Sequence, residues 1–99
     1  MVLNSTTTIA AYIKEGAIAR GIEPSLPLAI AECESSLNSK AVGDKGTSLG
    51  VYQIHLPAHP DIQIDQALDP KWNIDWSLDN MQKGKYHMWS CYRIVIGEV

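Results

Sequence analysis

The sequence lacks several features that would direct its interpretation toward common classes of protein. It has no phenylalanine, only two cysteines, and no apolar run long enough to span a membrane. No apolar signal-peptide core follows Met1. Its eleven acidic and eight basic residues, with a net charge of −3, do not form the basic pattern typical of nucleic-acid-binding proteins. We therefore expect no nucleic acid as its partner and no membrane span.

What remains is a mixed composition that is ordinary for a small globular protein. At 99 residues, 45% of them hydrophobic, the chain can build one modest core. It shows no internal repeat and no low-complexity segment. We therefore predict a single domain over residues 1–99, and expect it to be a monomer.

Hydrophobic spacing and capping residues predict four or five helices around an irregular middle. The first two helices are expected over 6–20 and 26–35, the second with Ser25 as a cap. Asp69-Pro70 is a strong helix start, and a last helix is expected over 85–94. Between them, we expect loop or hairpin at 38–50, one helical turn at 51–55 and a loop at 57–68. The predicted fold class is mainly α with a minimal β element.

The two cysteines, Cys33 and Cys91, lie 58 positions apart and allow two interpretations. They could be buried free thiols, as in many cytosolic domains. They could instead form one disulfide between the second and the last helix, in an oxidising compartment. By the chain-entropy account, closing a loop of that size adds about 4 kcal/mol of stability.

Glu34 is the first candidate for catalysis, because it ends an apolar helix just before a polar, glycine-bearing segment. A solvated surface carboxylate is the commonest fate of a glutamate. However, burial and the negative end of the helix dipole would both raise the pKa of Glu34, as a general acid near neutral pH requires. Glu32 is the rival, and two positions along a helix place it on nearly the opposite face. Spacing alone does not choose between them.

Three segments in order resemble the lytic transglycosylase and goose-type lysozyme superfamily. They are Glu34-Ser35-Ser36-Leu37-Asn38, the glycine-rich stretch 43–54 that ends in Gly50-Val51-Tyr52-Gln53-Ile54, and Asp69-Pro70-Lys71-Trp72-Asn73-Ile74. Each segment alone is weak evidence, but three in this order and spacing are much stronger. The resemblance implies a small lysozyme-like fold and makes Glu34 the catalytic acid.

The resemblance also implies auxiliary roles. In the family, the Gln of the second motif contacts the acetamido group of the sugar, which assigns substrate binding to Gln53, with Ser48 and Tyr52 beside it. Asn73 would be structural. The chain departs from the family in having Ser39 where many members have proline. It also lacks the Tyr-Asn-x-Gly segment whose tyrosine steadies the catalytic Glu; Tyr86 and Tyr92 are the candidate substitutes, and core packing explains each of them equally well.

Other chemical groups give weaker signals. The three histidines, His55, His59 and His87, are more readily explained as surface or loop residues than as metal ligands. The tryptophans 72, 76 and 89 could stack on a sugar, but helical spacing favours a core position for at least one of the first two. We expect no metal and no cofactor.

The predicted function is cleavage of peptidoglycan glycan strands by a lytic transglycosylase, with Glu34 acting as acid and then as base. A hydrolytic muramidase on the same bond is one alternative, with Asp44 as the only nearby second carboxylate. A domain that binds peptidoglycan without cutting it is another. The expected location is extracytoplasmic, or delivery by a phage.

Overall fold

The computed structural model describes residues 2–98, and within them the fold has five α-helices and one three-stranded antiparallel sheet. These elements are, in chain order, α1 (Thr6–Ala19), α2 (Ser25–Ser35), β1 (Val42–Gly43), β2 (Ser48–Leu49), β3 (Ile54–His55), α3 (Ile64–Leu68), α4 (Pro70–Gln82) and α5 (Ser90–Val95). Short 3₁₀ turns occupy Asp44–Gly46, Leu56–Ala58 and Tyr86–Met88. The prediction of a mainly helical fold with a very small sheet is confirmed. None of the described helices is long and apolar enough to cross a membrane.

The hydrophobic core lies between α1, α2 and α4. Each helix buries one apolar stripe. The largest fully buried side chains of the core include Ile13, Ile30, Ile74 and Leu78. Fully burying such a side chain stabilises the fold by roughly 1.5–3 kcal/mol. At the edge of this core Arg20, which follows α1, pairs through Nε with the Asp79 carboxylate of α4 at 2.8 Å.

The first two helices begin as the sequence predicts, with one difference. Ser5 caps α1, because its side chain accepts a hydrogen bond from the Thr8 N–H and Thr8 bonds back to the Ser5 backbone. In α2, however, Pro24 holds the cap position and Ser25 is already helical. The Ser25 side chain donates to the Glu23 carboxylate, so the predicted role of Ser25 as the cap is wrong.

The middle of the chain contains more regular structure than we predicted. Residues 51–55, expected to be one helical turn, form a tight turn followed by β3, because the sheet register pairs Leu49 with Ile54. The expected loop at 57–68 contains α3. At its start the Gln63 N–H donates to the side-chain carbonyl of Gln66 at 2.8 Å, and the Gln66 N–H donates to the Asp65 carboxylate at 3.0 Å.

The predicted last helix over 85–94 is divided at Trp89. This residue has an extended backbone, with φ −107° and ψ 122°, between a 3₁₀ turn and α5. Its indole is buried and donates from Nε1 to the Tyr52 carbonyl at 3.1 Å. A continuous helix would not direct the indole to this partner, so tertiary contact overrides local helical preference.

A disulfide joins Cys33 of α2 to Cys91 of α5, with Cα atoms 5.9 Å apart. Of the two interpretations that the sequence allowed, the structure therefore contains the crosslink. It holds the first turn of α5 against the last turn of α2, the turn that carries Glu34.

A candidate active site in the cleft beside Glu34

A cleft of about 640 Å³ lies between the end of α2, the small sheet and the segment that leads into α5. Its lining consists of Glu34, Gly43, Asp44, Ser48, Gln53, Ile54, His55, Ala58, His59, Trp76, Met88, Trp89 and Ser90. A volume of this size is typical of small-molecule sites.

Glu34 is half-buried in the cleft, and its surroundings raise the pKa of its carboxyl group above the ordinary value of 4.5. Burial is the largest cause, because removal from water disfavours the charged form. A hydrogen bond from the Cys91 N–H to Oε2, at 3.1 Å, opposes this shift, while the negative charge of Asp44 adds to it. Glu32 is exposed on a different face of α2 and does not line the cleft. The structure thus separates the two glutamates that spacing alone could not.

Several contacts fix the backbone around Glu34. The next residue, Ser35, donates its hydroxyl to the Val51 carbonyl at 2.6 Å and so ties the end of α2 to the tight turn at 50–53. Ser36 and Leu37 then adopt left-handed conformations, with φ 55° and 60°, which end the helix directly after the carboxylate. Such conformations cost a non-glycine residue roughly 1–2 kcal/mol each.

Gln53 lies on the cleft surface with its amide group oriented by the backbone. Its Nε2 donates to the carbonyls of Ala41 and Gly50, both at 3.1 Å. Its Oε1 has no donor among the described residues. The side chain passes so close to Gly43 that a Cβ at that position would collide with Oε1. The side-chain carbonyl of Gln53 is therefore a pre-oriented acceptor, which suits an amide N–H or a sugar hydroxyl.

The turn that carries Gln53 is held from behind by side chains of other elements. Asn73 of α4, fully buried, accepts from the Tyr52 N–H at 3.0 Å and donates to the carbonyls of Leu49 and Ala67. Gly50 has φ +82°, and a Cβ there would collide with the Ala67 carbonyl and with Asn73. The structural role predicted for Asn73 agrees with these contacts.

Two of the predicted substrate-binding residues lie outside the cleft lining. The Tyr52 side chain is fully buried, and its hydroxyl donates to the Pro27 carbonyl at 2.7 Å. It exposes no surface to a sugar. Tyr86 stacks on Tyr92 with ring centroids 5.2 Å apart and makes no hydrogen bond with Glu34.

Ser48 does line the cleft floor, although its residue is only 2% exposed. Its hydroxyl donates to the Asp44 carboxylate and lies 3.1 Å from Nδ1 of His55. From the sequence, Asp44 is expected only as a second carboxylate for hydrolysis, and His55 as a surface or loop histidine. The sheet brings the three side chains together, because Ser48 and His55 are direct partners in the β2–β3 register.

Three aromatic or histidine residues weighed from the sequence also line the cleft: His59, expected as a surface or loop residue, and Trp76 and Trp89, which could stack on a sugar or belong to the core. His59 packs edge-on against Trp76 at 4.9 Å, and Trp76 stacks with Trp72 at 6.2 Å. Trp76 also lines a smaller recess of about 290 Å³ beside the main cleft. Its helical spacing in α4 signalled an aromatic stripe but not that one ring reaches the cleft. Among the described residues, no group of three or more His, Cys, Asp or Glu side chains is arranged to hold a metal ion.

Comparison with known proteins gives one finding. The family model described as "Transglycosylase SLT domain" matches residues 11–93, a range that includes every residue lining the cleft. Neither the comparison with curated proteins nor the comparison with solved structures returned a match.

Proposed function

The chain belongs to the transglycosylase SLT domain family, and from that premise we propose that it is a lytic transglycosylase acting on peptidoglycan. Its substrate is the β-1,4 bond between N-acetylmuramic acid and N-acetylglucosamine in the glycan strand. Its product is a strand that ends in 1,6-anhydro-N-acetylmuramic acid. The disulfide and the family both fit action outside the cytoplasm.

The observation that carries this proposal is the environment of Glu34. Among the residues that line the cleft, Glu34 is the carboxyl group whose pKa burial raises. A general acid must keep its proton near the working pH and still be able to release it to the substrate. Half-burial supplies the first property, and the open cleft beside it supplies access for the second.

In the first step, Glu34 protonates the oxygen that leaves C1 of N-acetylmuramic acid, and the C1–O bond breaks. The acetamido group of the substrate assists by stabilising the positive charge at C1. The Cys91 N–H then becomes more important, because it donates to the carboxylate that the proton transfer creates. This hydrogen bond stabilises the carboxylate, but its effect on the pKa of Glu34 is smaller than that of burial, so the pKa stays raised.

In the second step, the Glu34 carboxylate takes the proton of the sugar's own 6-hydroxyl while that oxygen attacks C1. A 1,6-anhydro ring closes, and Glu34 regains its proton. One carboxyl group therefore serves as acid and base in turn, as general acid–base catalysis permits.

Gln53 and Ser48 would position the sugar in this scheme. The free Oε1 of Gln53 would accept the N–H of the substrate acetamido group, and the polar floor around Ser48 would face the ring hydroxyls. Tyr52 would contribute only from behind, since its carbonyl and N–H fix the turn that carries Gln53. Tyr86 would have only an indirect role, because it packs on Tyr92 of α5 and does not line the cleft.

The test is the substitution Glu34→Gln, with Glu32→Gln as the matched control two residues away on the same helix. We measure soluble products from purified peptidoglycan by mass spectrometry, using protein that was never reduced. Glu34→Gln should lower the rate by about 10²–10⁴-fold, as expected when a general acid is removed. Glu32→Gln should retain the rate of the wild type, because its side chain lies outside the cleft.

The product masses distinguish the proposal from its alternatives. Anhydro ends are lighter by one water than hydrolysed ends, so their formation by the wild type supports transglycosylation. Reducing ends alone would make the protein a muramidase. Folded wild-type protein that sediments with peptidoglycan but releases nothing would make it a binding domain.

A further inference from the structure

Three hydrogen-bonded side chains, Asp44, Ser48 and His55, line the same cleft as Glu34. Asp44 comes from the turn after β1, Ser48 from β2 and His55 from β3. Asp44 adopts a left-handed conformation with φ 49° although it is not glycine, which indicates that surrounding contacts hold it there. The His55 side chain is 50% exposed and lines the cleft, so it is open to solvent and to substrate.

The direction of these hydrogen bonds follows from the number of protons available. The Ser48 hydroxyl has one proton and donates it to the Asp44 carboxylate, which can only accept. His55 must then donate its Nδ1–H to the Ser48 oxygen. In this tautomer the other ring nitrogen, Nε2, carries a lone pair, and it has no hydrogen-bond partner among the described residues.

We propose that the hydrogen-bonded side chains of Asp44, Ser48 and His55 activate water, so that the protein also hydrolyses the glycosidic bond as a second activity beside transglycosylation. His55 is the catalytic residue of that branch, because its Nε2 contacts the attacking water. Ser48 and Asp44 are positioning residues that act through His55. The inference rests on the proposed function, since it assigns a second outcome to the same bond and the same acid.

The atoms balance without any added reagent. Glu34 gives its proton to the leaving oxygen and the C1–O bond breaks, as in transglycosylation. A water oxygen then forms the new bond to C1, and one of its protons passes to Nε2 of His55. The product is a reducing N-acetylmuramic acid end. The imidazolium of His55 afterwards returns its proton through solvent to the Glu34 carboxylate.

The experiment measures the ratio of reducing to anhydro ends. Purified peptidoglycan is digested with the intact protein, the products are treated with borohydride to fix the reducing ends, and both kinds of end are counted by mass spectrometry. The wild type should release both. His55→Gln should lower the ratio of reducing to anhydro ends at least tenfold. Ser48→Ala should lower the ratio in the same direction by a smaller factor.

His87→Gln is the matched control, because His87 packs against Tyr92 outside the cleft lining and should leave the ratio unchanged. A ratio is insensitive to loss of folded protein, since both ends come from the same molecules. The proposal is overturned if the wild type releases only anhydro ends, or if His55→Gln leaves the ratio as it was.

The two proposals fail separately in this experiment. If Glu34→Gln abolishes both products while His55→Gln changes neither, the proposed function stands and the water-activating chain does not. If the wild type releases only reducing ends and His55→Gln removes them, transglycosylation fails and the role of His55 stands.

Discussion

The helical core and the cleft segment, which we define as residues 36–62, are stabilised by different forces. The core between α1, α2 and α4 consists of apolar side chains in regular helices. The cleft segment has strands of two residues each, and side chains bond to its backbone at several points. Among residues 2–98, the non-glycine positions with positive φ all lie in it: Ser36, Leu37, Asp44, Lys45 and Gln53.

The difference indicates that the core mainly provides stability and that the cleft segment mainly positions the groups needed for activity. A core of apolar side chains provides stability that does not depend on the direction of any one bond. The cleft segment needs exact directions instead, and polar contacts from α2 and α4 provide them. Strained backbone is tolerated there because the surrounding structure holds it. We therefore expect core substitutions to change stability, and cleft substitutions to change activity.

The largest effect should come from the disulfide, which joins the two helices that flank the cleft. The double substitution Cys33→Ala with Cys91→Ala should lower the free energy of unfolding by about 4 kcal/mol, because the unfolded chain regains loop entropy. Denaturant unfolding with and without a reducing agent measures this. Reduction should have no effect on the double variant, and an equal loss in both proteins would contradict the prediction.

Leu78→Ala tests the core alone. Leu78 is fully buried in α4, and its truncation should cost roughly 3 kcal/mol through lost burial and the cavity that remains. The activity per folded molecule should not change, because Leu78 lies outside the cleft lining. A fall in kcat under conditions where the variant is fully folded would show that the two regions are not separable in this way.

Gly43→Ala tests the cleft alone. Gly43 has an extended backbone that alanine can adopt, so the loss of stability should stay below about 1 kcal/mol. The new Cβ would displace the Gln53 amide, and kcat/KM should fall about 3- to 10-fold, the value of one net hydrogen bond.

Gly46→Ala is the opposite case and serves as the control for Gly43→Ala. Gly46 has φ +95° and open space around it. Alanine there should cost roughly 1–2 kcal/mol in stability through strain and leave kcat/KM unchanged. If Gly43→Ala and Gly46→Ala both lower kcat/KM, or both lower only the stability, then activity does not depend on whether the glycine lines the cleft.

The smallest effect should come from the half-buried carboxyl group of Glu34, which lowers the free energy of unfolding when it is ionised. Its raised pKa means that the folded protein binds this proton more tightly than the unfolded chain does. The resulting stability is fully present below the ordinary pKa of 4.5 and is lost as the pH rises through the raised value. Glu34→Gln should therefore be more stable than the wild type near neutral pH, and the advantage should disappear in acid.

Thermal unfolding across the pH range measures this difference. Glu32→Gln, in which an exposed carboxylate of the same helix is lost, gives the baseline for removing one surface charge. A stability difference between Glu34→Gln and the wild type that does not change with pH would contradict the assigned cause.

Local patterns were sufficient for the regular part of the fold. The apolar spacing of α1, the run of apolar residues in α2 and the Asp69-Pro70 start of α4 each predict a helix that the structure contains. Prediction fell short where a distant partner decides the conformation. Residue Trp89 is extended because its indole reaches the Tyr52 carbonyl, and α3 begins with a pair of glutamines that propensity rules do not mark as a helix start.

The candidate site shows the same division. The segment Glu34-Ser35-Ser36 and the motif ending in Gln53 are contiguous, so their order and spacing can be read from the chain. His59, Trp76 and Met88 reach the same cleft from segments far apart in sequence, and no local pattern indicates that they meet. Burial is equally invisible to local patterns: the side chain of Tyr52, which belongs to the same motif as Gln53, is fully buried and does not line the cleft.

The amino-acid sequence by itself thus determined the main helices and the family, because these depend on neighbouring residues and their spacing. Only the tertiary structure decided that Glu34 rather than Glu32 faces the cleft, and that Asp44, Ser48 and His55 form one hydrogen-bonded chain. Burial, pKa and hydrogen-bond direction depend on what surrounds a side chain in space. Those surroundings exist only once α2, the sheet and α5 have packed together.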